Sequence, residues 1–565
     1  MKQFIAPMLI GATLATAAVA ADDSLRAEIA ALKAQMAELK EAQSKVNYDA
    51  LRKQLSEVKA HSAGDNVKFS IDFRTAYDII DTHTKAGMIP TGTINMAAPG
   101  MGMFTPVGGE ARDQDNAVWT NKLILNMAAQ PVDSLVFKGA LGFYKAYGQN
   151  NMTSGSMFQD FDWYTNQKPN DSAIKLREAY FLYFGDIAEI PFTASFGRRP
   201  STDGFMTNLR ADNASPASPV GHNINMEFDG ASFKFDFEKL TGLSGFYAKI
   251  CLGRGFSDST GSYSQSAYGG FNAPYIDGQS NPNMDLAGLL IQAYDDGQYK
   301  VMANIFQGWN MMGVAGNTID MTVAADGTGT YSMVPKDGFV DVGDLSGASL
   351  SLQVNGIGDE INDFLDDTVF FASVAMSKTD PTNAATNTLN MDAASAGNMM
   401  NSIATGLNGG VPITYAAAGP AIQAQVDGAM GEIQENFAGK GMLGSQDKET
   451  GYSYYVGVNM PGFFENDRIG IEYNHGSEYW RSFTYGEDTL AGSKLATRGN
   501  AYEVYYNLPL VNKNLTAQIR YTYMDYDYAG SDMFFGQTGN PAGMMGVMPY
   551  VDKAQNIHLS MRYRY

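Results

Sequence analysis

The sequence predicts an all-β fold: a transmembrane antiparallel β-barrel of about 16 strands, preceded by a short α-helical coiled coil. Three observations predict it. Apolar and polar residues alternate through most of the chain after Gly64. Short and long connections alternate between these segments, and the last ten residues, 556–565, are themselves an alternating segment. Only 18% of the residues are charged, which is low for a soluble domain.

Residues 1–20 match a secretory signal peptide. Lys2 supplies the positive charge, residues 4–17 are apolar, and residues 18–20 (AVA) form a small-residue cleavage site. The alternative, a membrane anchor, needs a longer apolar stretch. We therefore expect export across the inner membrane of a Gram-negative bacterium, and location in its outer membrane.

Residues 21–64 are predicted to form a periplasmic coiled-coil helix. Its apolar residues recur at spacings of four and three, which is a heptad seam. The seam consists of Leu25, Ile29, Leu32, Met36 and Leu39. Such a seam is typical of a coiled coil between subunits, and we expect a homotrimer. The alternative is a helix packed on its own domain. Contact between this helix and peptidoglycan or another envelope layer is a further expectation.

Residues 65–565 are predicted to form the barrel. Strict alternation over about ten residues is the pattern of a half-buried strand, and twelve tilted residues cross a hydrocarbon layer. The predicted strands cover residues 67–78, 117–129, 134–146, 173–184, 191–199, 221–237, 245–255, 285–294, 299–309, 347–355, 366–378, 451–460, 468–479, 499–508, 515–526 and 554–565.

The lengths of the connections distinguish a membrane barrel from a soluble sandwich. Seven predicted connections are short, at residues 130–133, 185–190, 238–244, 295–298, 356–365, 461–467 and 509–514. All seven fall on the side that holds both ends of the barrel, and the long connections fall on the other side. Bacterial outer-membrane barrels have short periplasmic turns and long outer loops, whereas a sandwich has no reason to segregate them.

If one parity of each strand faces lipid, the other faces the lumen, where basic residues outnumber acidic ones. The predicted lumen-lining residues are Lys68, Asp72, Arg74, Lys122, Lys138, Lys175, Arg177, Arg199, Glu472, Glu503, Arg520, His558, Arg562 and Arg564. A basic constriction favours anions. A long loop folded into the lumen could reverse that preference.

Aromatic residues are predicted at the membrane interfaces, where a ring satisfies both its apolar and its polar side. Trp119, Trp309 and Trp480 lie at the predicted outer ends of strands, and Tyr565 ends the last strand. That last strand has to pair with the first, because otherwise unpaired backbone groups would face lipid.

Two features leave alternatives open. Glu178 falls on the lipid-facing parity, so either a bulge shifts the register or the side chain contacts a neighbouring subunit. Residues 421–437, within the long connection at 379–450, have helical character. They could form a plug in the barrel or a surface ornament.

Enzymatic chemistry is not expected. The chain has five histidines, and neither a His-x-x-x-His pair nor a nucleophile elbow accompanies them. The single Cys251 cannot form an internal disulfide and argues against a Cys-ligated metal or haem. We therefore expect no cofactor and no metal. A net charge of −21 argues against nucleic-acid binding.

Three stretches resemble a family of uncharacterised proteobacterial outer-membrane proteins known only as a domain of unknown function. They are "SFGRRPSTDG" (195–204), "IEYNHGSEYW" (471–480) and "RGNAYEVYYNLPL" (498–510). The resemblance implies a porin-like outer-membrane barrel and transfers no substrate and no catalytic residue.

These features together favour a passive diffusion channel for small hydrophilic solutes or ions, with a lumen that leans toward anions. Three alternatives stay open: an envelope tether, a barrel sheath around a partner protein, and a barrel enzyme.

Overall fold

The structure is a computed structural model. It describes residues 67–565 except 86, 91–92, 96–103, 108–110, 149–166, 170–171, 214, 258–259, 262–274, 277–282, 315–316, 336–338, 359–360, 384–386, 438–441 and 529–549. The predicted signal peptide and the predicted coiled coil, with its seam from Leu25 to Leu39, lie outside the described residues.

Sixteen antiparallel strands form one closed barrel, as the sequence predicted. In chain order they are β1 (Lys68–Lys85), β2 (Ala111–Val132), β3 (Leu135–Ala146), β4 (Lys175–Ile187), β5 (Ile190–Arg199), β6 (Phe228–Asp236), β7 (Tyr247–Phe256), β8 (Met284–Asp295), β9 (Tyr299–Val314), β10 (Phe339–Asn355), β11 (Val369–Pro381), β12 (Thr450–Pro461), β13 (Arg468–Gly476), β14 (Gly499–Val511), β15 (Leu515–Tyr526) and β16 (Tyr550–Arg564). Each strand pairs with its neighbour in sequence.

The last strand closes the barrel against the first. Strand β16 pairs with β1 from Asp72 to Lys85. Beyond the last regular pair, the Tyr565 N–H donates to the Ile71 carbonyl at 2.9 Å, and the Ile71 N–H donates to the Tyr565 carbonyl at 2.8 Å. The closure leaves no sheet edge, which is the condition for a β-structure surrounded by hydrocarbon.

The two faces of the barrel wall differ in polarity as the alternation predicts. On β16, the outward-facing Ile557, Leu559 and Met561 are about two-fifths exposed. The intervening His558 is buried in the interior. The outward-facing residues of β14 and β15 are apolar in the same way, so the exterior of the barrel is an apolar surface suited to contact with lipid.

The predicted turns join the strands on one side, but two strands are shorter than predicted. Strand β6 covers Phe228–Asp236 rather than 221–237, and β13 ends at Gly476 rather than at 479. Residues 221–227 leave the wall and are mostly buried in the barrel interior, and the chain leaves the wall again after Gly476.

A β-bulge accounts for Glu178. The pairing of β3 with β4 shifts between Ala140 and Leu141, so that Ala140 pairs with Glu178 while Leu141 pairs with Leu176. The extra residue is Arg177, and beyond it the parity of the strand reverses. Glu178 therefore lines a cavity inside the barrel instead of facing lipid.

Connections on the side opposite the short turns form an outer subdomain. A four-stranded sheet combines Thr93–Asn95, Asn317–Val323, Thr328–Pro335 and Thr388–Met391. Two helices, α3 (Ala393–Leu407) and α4 (Pro420–Phe437), accompany it. Shorter helices precede them in the chain, α1 (Glu238–Thr241) and α2 (Asp363–Asp366). No helix in the described part of the chain is both long and apolar enough to cross a membrane.

The outer subdomain has a core of its own. Ile319 and Met321 of the sheet pack with Met399 of α3 and Val426 of α4, and these side chains are at most 3% exposed. The helix predicted at 421–437 is thus an ornament on the outer connections and not a plug.

The remaining short elements lie in connections. Paired two-strand ladders form between Gly87–Pro90 and Phe104–Val107, between Gly204–Phe205 and Ala217–Val220, and between Thr260–Gly261 and Tyr275–Ile276. Single 3₁₀ turns occur at Tyr415–Ala417, Met442–Gly444 and Lys494–Ala496.

Candidate functional site

Two connections fold into the barrel and fill much of its interior. The first inner segment, residues 200–227, joins β5 to β6, and the second inner segment, residues 477–498, joins β13 to β14. They meet at a β-bridge between Ile224 and Phe483. The Asn225 N–H donates to the Phe483 carbonyl at 2.7 Å. The lumen is therefore a packed interior with a residual polar space and not a wide tube.

The first inner segment crosses the barrel to the opposite wall. The Gln518 side-chain amide on β15 donates to the Arg210 carbonyl at 2.7 Å. On β16, Arg562 donates to the Ala211 carbonyl at 2.8 Å. In the closed sheet, β15 and β16 are at least five strands away from β5. The first inner segment therefore spans the interior from one wall to another.

His222, near the C-terminal end of the first inner segment, holds that segment against β11 and β12. Its ring nitrogens lie 2.8 Å from the Ser373 hydroxyl and 2.9 Å from the Ser453 hydroxyl. The imidazole is fully buried. Burial lowers the pKa of His222 to about 3, so the neutral ring is the stable form at neutral pH.

Apolar side chains hold the inner segments against the wall from β8 to β12. Met226 and Phe483 of the two segments pack against Phe306 of β9 and Leu345 of β10. A second cluster places Phe205 of the first inner segment among buried residues of the wall and of the second segment. Apolar packing of this extent inside a barrel makes the segments structural parts of the lumen.

The base of the second inner segment is an ion-pair network. The Lys494 ammonium contacts the carboxylates of Glu472 on β13 and Glu503 on β14. The Tyr455 hydroxyl donates to Glu472 at 2.6 Å, and Thr522 donates to Glu503 at 2.7 Å. All of these groups are buried, so each charge needs its partner.

The far end of the second inner segment is an acidic tip, Glu487 and Asp488, held by cations. Arg74 on β1 donates to both oxygens of Asp488, at 2.8 and 3.0 Å. The Lys122 ammonium on β2 lies 2.7 Å from the same carboxylate. Arg210 of the first inner segment pairs with Glu487.

A further cation, Lys168, contacts the tip, and the Asp488 carboxyl is ionised. The Lys168 ammonium donates to the backbone carbonyls of Glu487 and Thr489. Burial opposes ionisation of Asp488, but Arg74 and Lys122 outweigh it and hold the pKa of that carboxyl well below its usual range. We call Arg74, Lys122, Lys168 and Arg210 the basic clamp.

A polar cavity of about 340 Å³ adjoins the clamp. It lies between the first inner segment and the wall formed by β1, β2, β4 and β14–β16. Six basic and five acidic residues line it: Arg74, Lys122, Arg177, Arg210, Arg520 and Arg562, and Asp72, Glu178, Asp203, Asp212 and Asp488. The cavity is large enough for a small solute.

The structure brings most of the predicted lumen-lining residues into this interior. Asp72 pairs with Arg562, Arg177 with Glu227, Arg564 with Asp212, and His558 with Asp78. Arg199 is buried and donates to Ser232. Lys68 and Lys138 are exposed near the short turns, and Lys175 is half-buried on the outer side of the bulge; none of the three lines the cavity.

One aromatic assignment was wrong. Trp480, predicted at the membrane interface, is 0% exposed inside the barrel, where its indole N–H donates to the Leu495 carbonyl at 2.8 Å. The chain leaves the wall after Gly476, and the indole therefore points into the second inner segment. Trp119 and Trp309 are 48% and 41% exposed, and Tyr565 is exposed at the end of the barrel.

Sequence reasoning missed both inner segments and hence Arg210, His222, Glu487, Asp488 and Lys494. Arg210, Glu487, Asp488 and Lys494 lie in long connections, which the alternation pattern assigns only as loops, whereas His222 fell within the strand predicted at 221–237. One signal was available: on the parity of Phe233 and Phe235, which the alternation assigns to the lipid face, residues 223, 225 and 227 are Asn, Asn and Glu.

Comparison with known proteins supplies a family. The family model described as "Protein of unknown function (DUF3373)" matches residues 112–565. By sequence, no curated protein matches the chain. Similar solved structures include an anion-selective porin from Comamonas acidovorans, with 9% identity, a TM-score of 0.40, and coverage of 88% of this chain and 99% of that one.

Two further structures are similar at the same level. One is Pseudomonas putida OprB, with 9% identity and a TM-score of 0.39, covering 88% of this chain and 94% of that one. The other is the outer-membrane channel DcaP of Acinetobacter baumannii, with 10% identity and a TM-score of 0.36, covering 89% and 98%.

Proposed function

The chain belongs to the DUF3373 family, whose description assigns no activity, and from its geometry we propose that it is an outer-membrane channel for small hydrophilic solutes. The observation that carries the proposal is the closed barrel with an apolar exterior and a charged cavity beside the inner segments. Solutes cross by passive diffusion and undergo no chemistry.

The route for solutes follows the charged side of the interior. The wall from β8 to β12 is covered by the packed inner segments, whereas the cavity lies against β1, β2, β4 and β14–β16. With six basic and five acidic residues around the cavity, we expect a weak preference for anions. A narrow charged route admits small solutes and excludes large ones.

Conductance in planar bilayers tests this function. Detergent-purified protein in a KCl gradient is expected to give discrete conductance steps and a reversal potential of the sign for anions. The informative variant is Arg520→Gln, because Arg520 lines the cavity and its nearest carboxylate, Glu503, lies 3.8 Å away. This variant is expected to lose the anion preference.

Arg254→Gln is the matched control. Arg254 pairs with Asp285 at the exposed outer end of β7 and has a side chain that is 48% exposed. Its removal changes the net charge equally but should leave the reversal potential unchanged. Absence of conductance steps from correctly folded protein would contradict the channel function.

A further inference from the structure

The acidic tip occupies a site built for an anion with two carboxylates. The carboxylate of Asp488 takes two hydrogen bonds from Arg74 and one from Lys122, while the carboxylate of Glu487 takes an ion pair from Arg210. These three cations come from β1, β2 and the first inner segment, and Lys168 adds hydrogen bonds to the backbone carbonyls of Glu487 and Thr489.

Three of the four clamp cations have partners other than the tip. Arg74 also donates to the Tyr144 hydroxyl at 3.2 Å, and Lys122 donates to the Gln167 side chain at 2.9 Å. The Arg210 carbonyl is held by Gln518 on the wall. Arg74, Lys122 and Arg210 are therefore positioned by the barrel and the first inner segment, and we expect these three cations to stay converged without Glu487 and Asp488.

Space for a competing ligand lies directly beside the clamp. Arg74, Lys122, Arg210 and Asp488 all line the cavity of about 340 Å³. The Asp488 side chain is still 16% exposed toward that space, although its partners are mostly buried. An incoming anion can thus reach the clamp without any opening of the barrel wall.

We propose that the basic clamp is a binding site for small dicarboxylates and that Glu487 and Asp488 act as an internal ligand that keeps it closed. This inference rests on the proposed channel function and names its solute class and its regulation. A dicarboxylate that enters the cavity replaces the two side-chain carboxylates one for one, so the charge at the clamp stays balanced. The displaced tip moves away and widens the route.

Competition predicts how binding responds to removal of the internal ligand. Glu487→Gln with Asp488→Asn keeps the shape of the tip but removes both of its negative charges. Malonate should bind this double variant at least tenfold more tightly than the wild type, because it no longer has to displace a bound carboxylate pair. Lys122→Gln, added to the double variant, should reverse most of that gain.

The control is the double variant Asp285→Asn with Asp380→Asn. Both residues form exposed pairs, with Arg254 and Lys448, at the outer ends of strands. The control removes the same total charge far from the clamp and should bind malonate as the wild type does. Acetate, with one carboxylate, should bind every variant weakly at matched ionic strength.

Calorimetry in detergent measures malonate binding without any need for conduction. Each variant is first checked for the folded, heat-modifiable form on a gel, and Asp488→Asn alone serves where the double variant does not fold. Equal malonate affinity in the wild type, the tip variant and the control overturns the proposal, as does a failure of all three to bind malonate.

Conductance measurements distinguish failure of the internal-ligand proposal from failure of the channel function on which it rests. In planar bilayers, malonate should raise the conductance of the wild type, and the tip variant should start at the raised level. If wild type and tip variant conduct equally with and without malonate, the internal-ligand proposal fails while the channel function stands. If neither conducts, the channel function itself fails.

Discussion

At the scale of single residues, glycines in the barrel wall make room for large interior rings. A Cβ added at Gly470 would lie 2.0 Å from the Tyr505 ring, and one at Gly457 would lie 2.4 Å from the Phe371 ring. Tyr505 and Phe371 are both at most 1% exposed. Each ring occupies the space that a side chain at the glycine would take. The interior of a sixteen-stranded barrel can therefore hold these rings together with the inner segments.

Gly470→Ala is expected to destabilise the barrel. The Tyr505 ring cannot retreat, because it is buried and its hydroxyl accepts a hydrogen bond from Asn459 at 3.1 Å. Overpacking of this kind costs about 1–3 kcal/mol. Urea unfolding of the lipid-folded protein measures the loss. Gly428→Ala in α4, where a Cβ meets nothing within 4 Å, is the control and should not destabilise.

His222 makes the packing of the first inner segment sensitive to acid. Its folded pKa is about 3, against an unfolded value of about 6.5. Because the folded value is lower, the unfolded state binds the proton first as the pH falls. Stability is therefore full above about pH 6.5 and declines toward pH 3, at ~1.4 kcal/mol per pH unit for one proton.

His222→Gln should flatten this pH dependence. Glutamine bridges the Ser373 and Ser453 hydroxyls without titrating, so the stability of the variant should fall less steeply between pH 6.5 and pH 3. Thermal unfolding at a series of pH values gives the slopes. His475→Gln, which alters a ring stacked on Tyr454 on the outer face, is the matched control. Identical slopes for wild type and His222→Gln would refute the assignment.

At the scale of elements, the outer subdomain folds around its own apolar core. Its strands and helices come from three different connections of the barrel, and their buried side chains contact one another. Helix α3 begins at an Asp392 cap, whose carboxylate accepts the Ser395 N–H at 2.6 Å. The subdomain can therefore lose its packing while the barrel keeps its hydrogen bonds.

Val426→Asp should unfold the outer subdomain alone. Val426 is fully buried, and an unpaired carboxylate there costs several kcal/mol. Limited proteolysis should then cut within 388–437, while the barrel stays heat-modifiable on a gel. Gln425→Asp, on the exposed neighbouring position of the same helix, should stay resistant. Loss of the barrel in Val426→Asp would show that the two parts are coupled.

At the scale of the whole molecule, the barrel interior is divided between an apolar and a charged side. Clusters around Phe306 and Phe371 secure the inner segments on β8–β12. Across the interior lie Asp72 on β1 and Glu503 on β14, which pair with Arg562 of β16 and with Lys494 of the second inner segment. In the proposed channel, this division leaves the charged side as the route for water and solutes.

Removal of residues 21–62 should separate oligomerisation from barrel folding. The heptad seam predicts that these residues join three subunits. An unheated gel of the shortened protein should show folded monomers where the full chain shows trimers, with unchanged conductance per barrel. A loss of envelope integrity in cells with no change in oligomer would favour the tether instead.

The sequence by itself determined the barrel. A period of two over sixteen segments, connections of alternating length and an apolar last strand predict the strand count, the closure and the outward face, because a membrane barrel repeats one simple requirement at every strand. The polar parity likewise contains Arg74, Lys122 and Glu503, but the pattern gives no partner for any of them.

Only the tertiary structure decided what fills the barrel. The acidic tip lies more than 360 residues from Lys122 in the chain and yet 2.7 Å from its ammonium group. Long connections carry no periodicity, so the direction in which they fold depends on distant charges and rings that meet only after closure. The wall follows from local alternation, whereas the clamp, the cavity and the burial of Trp480 follow from contacts between residues remote in sequence.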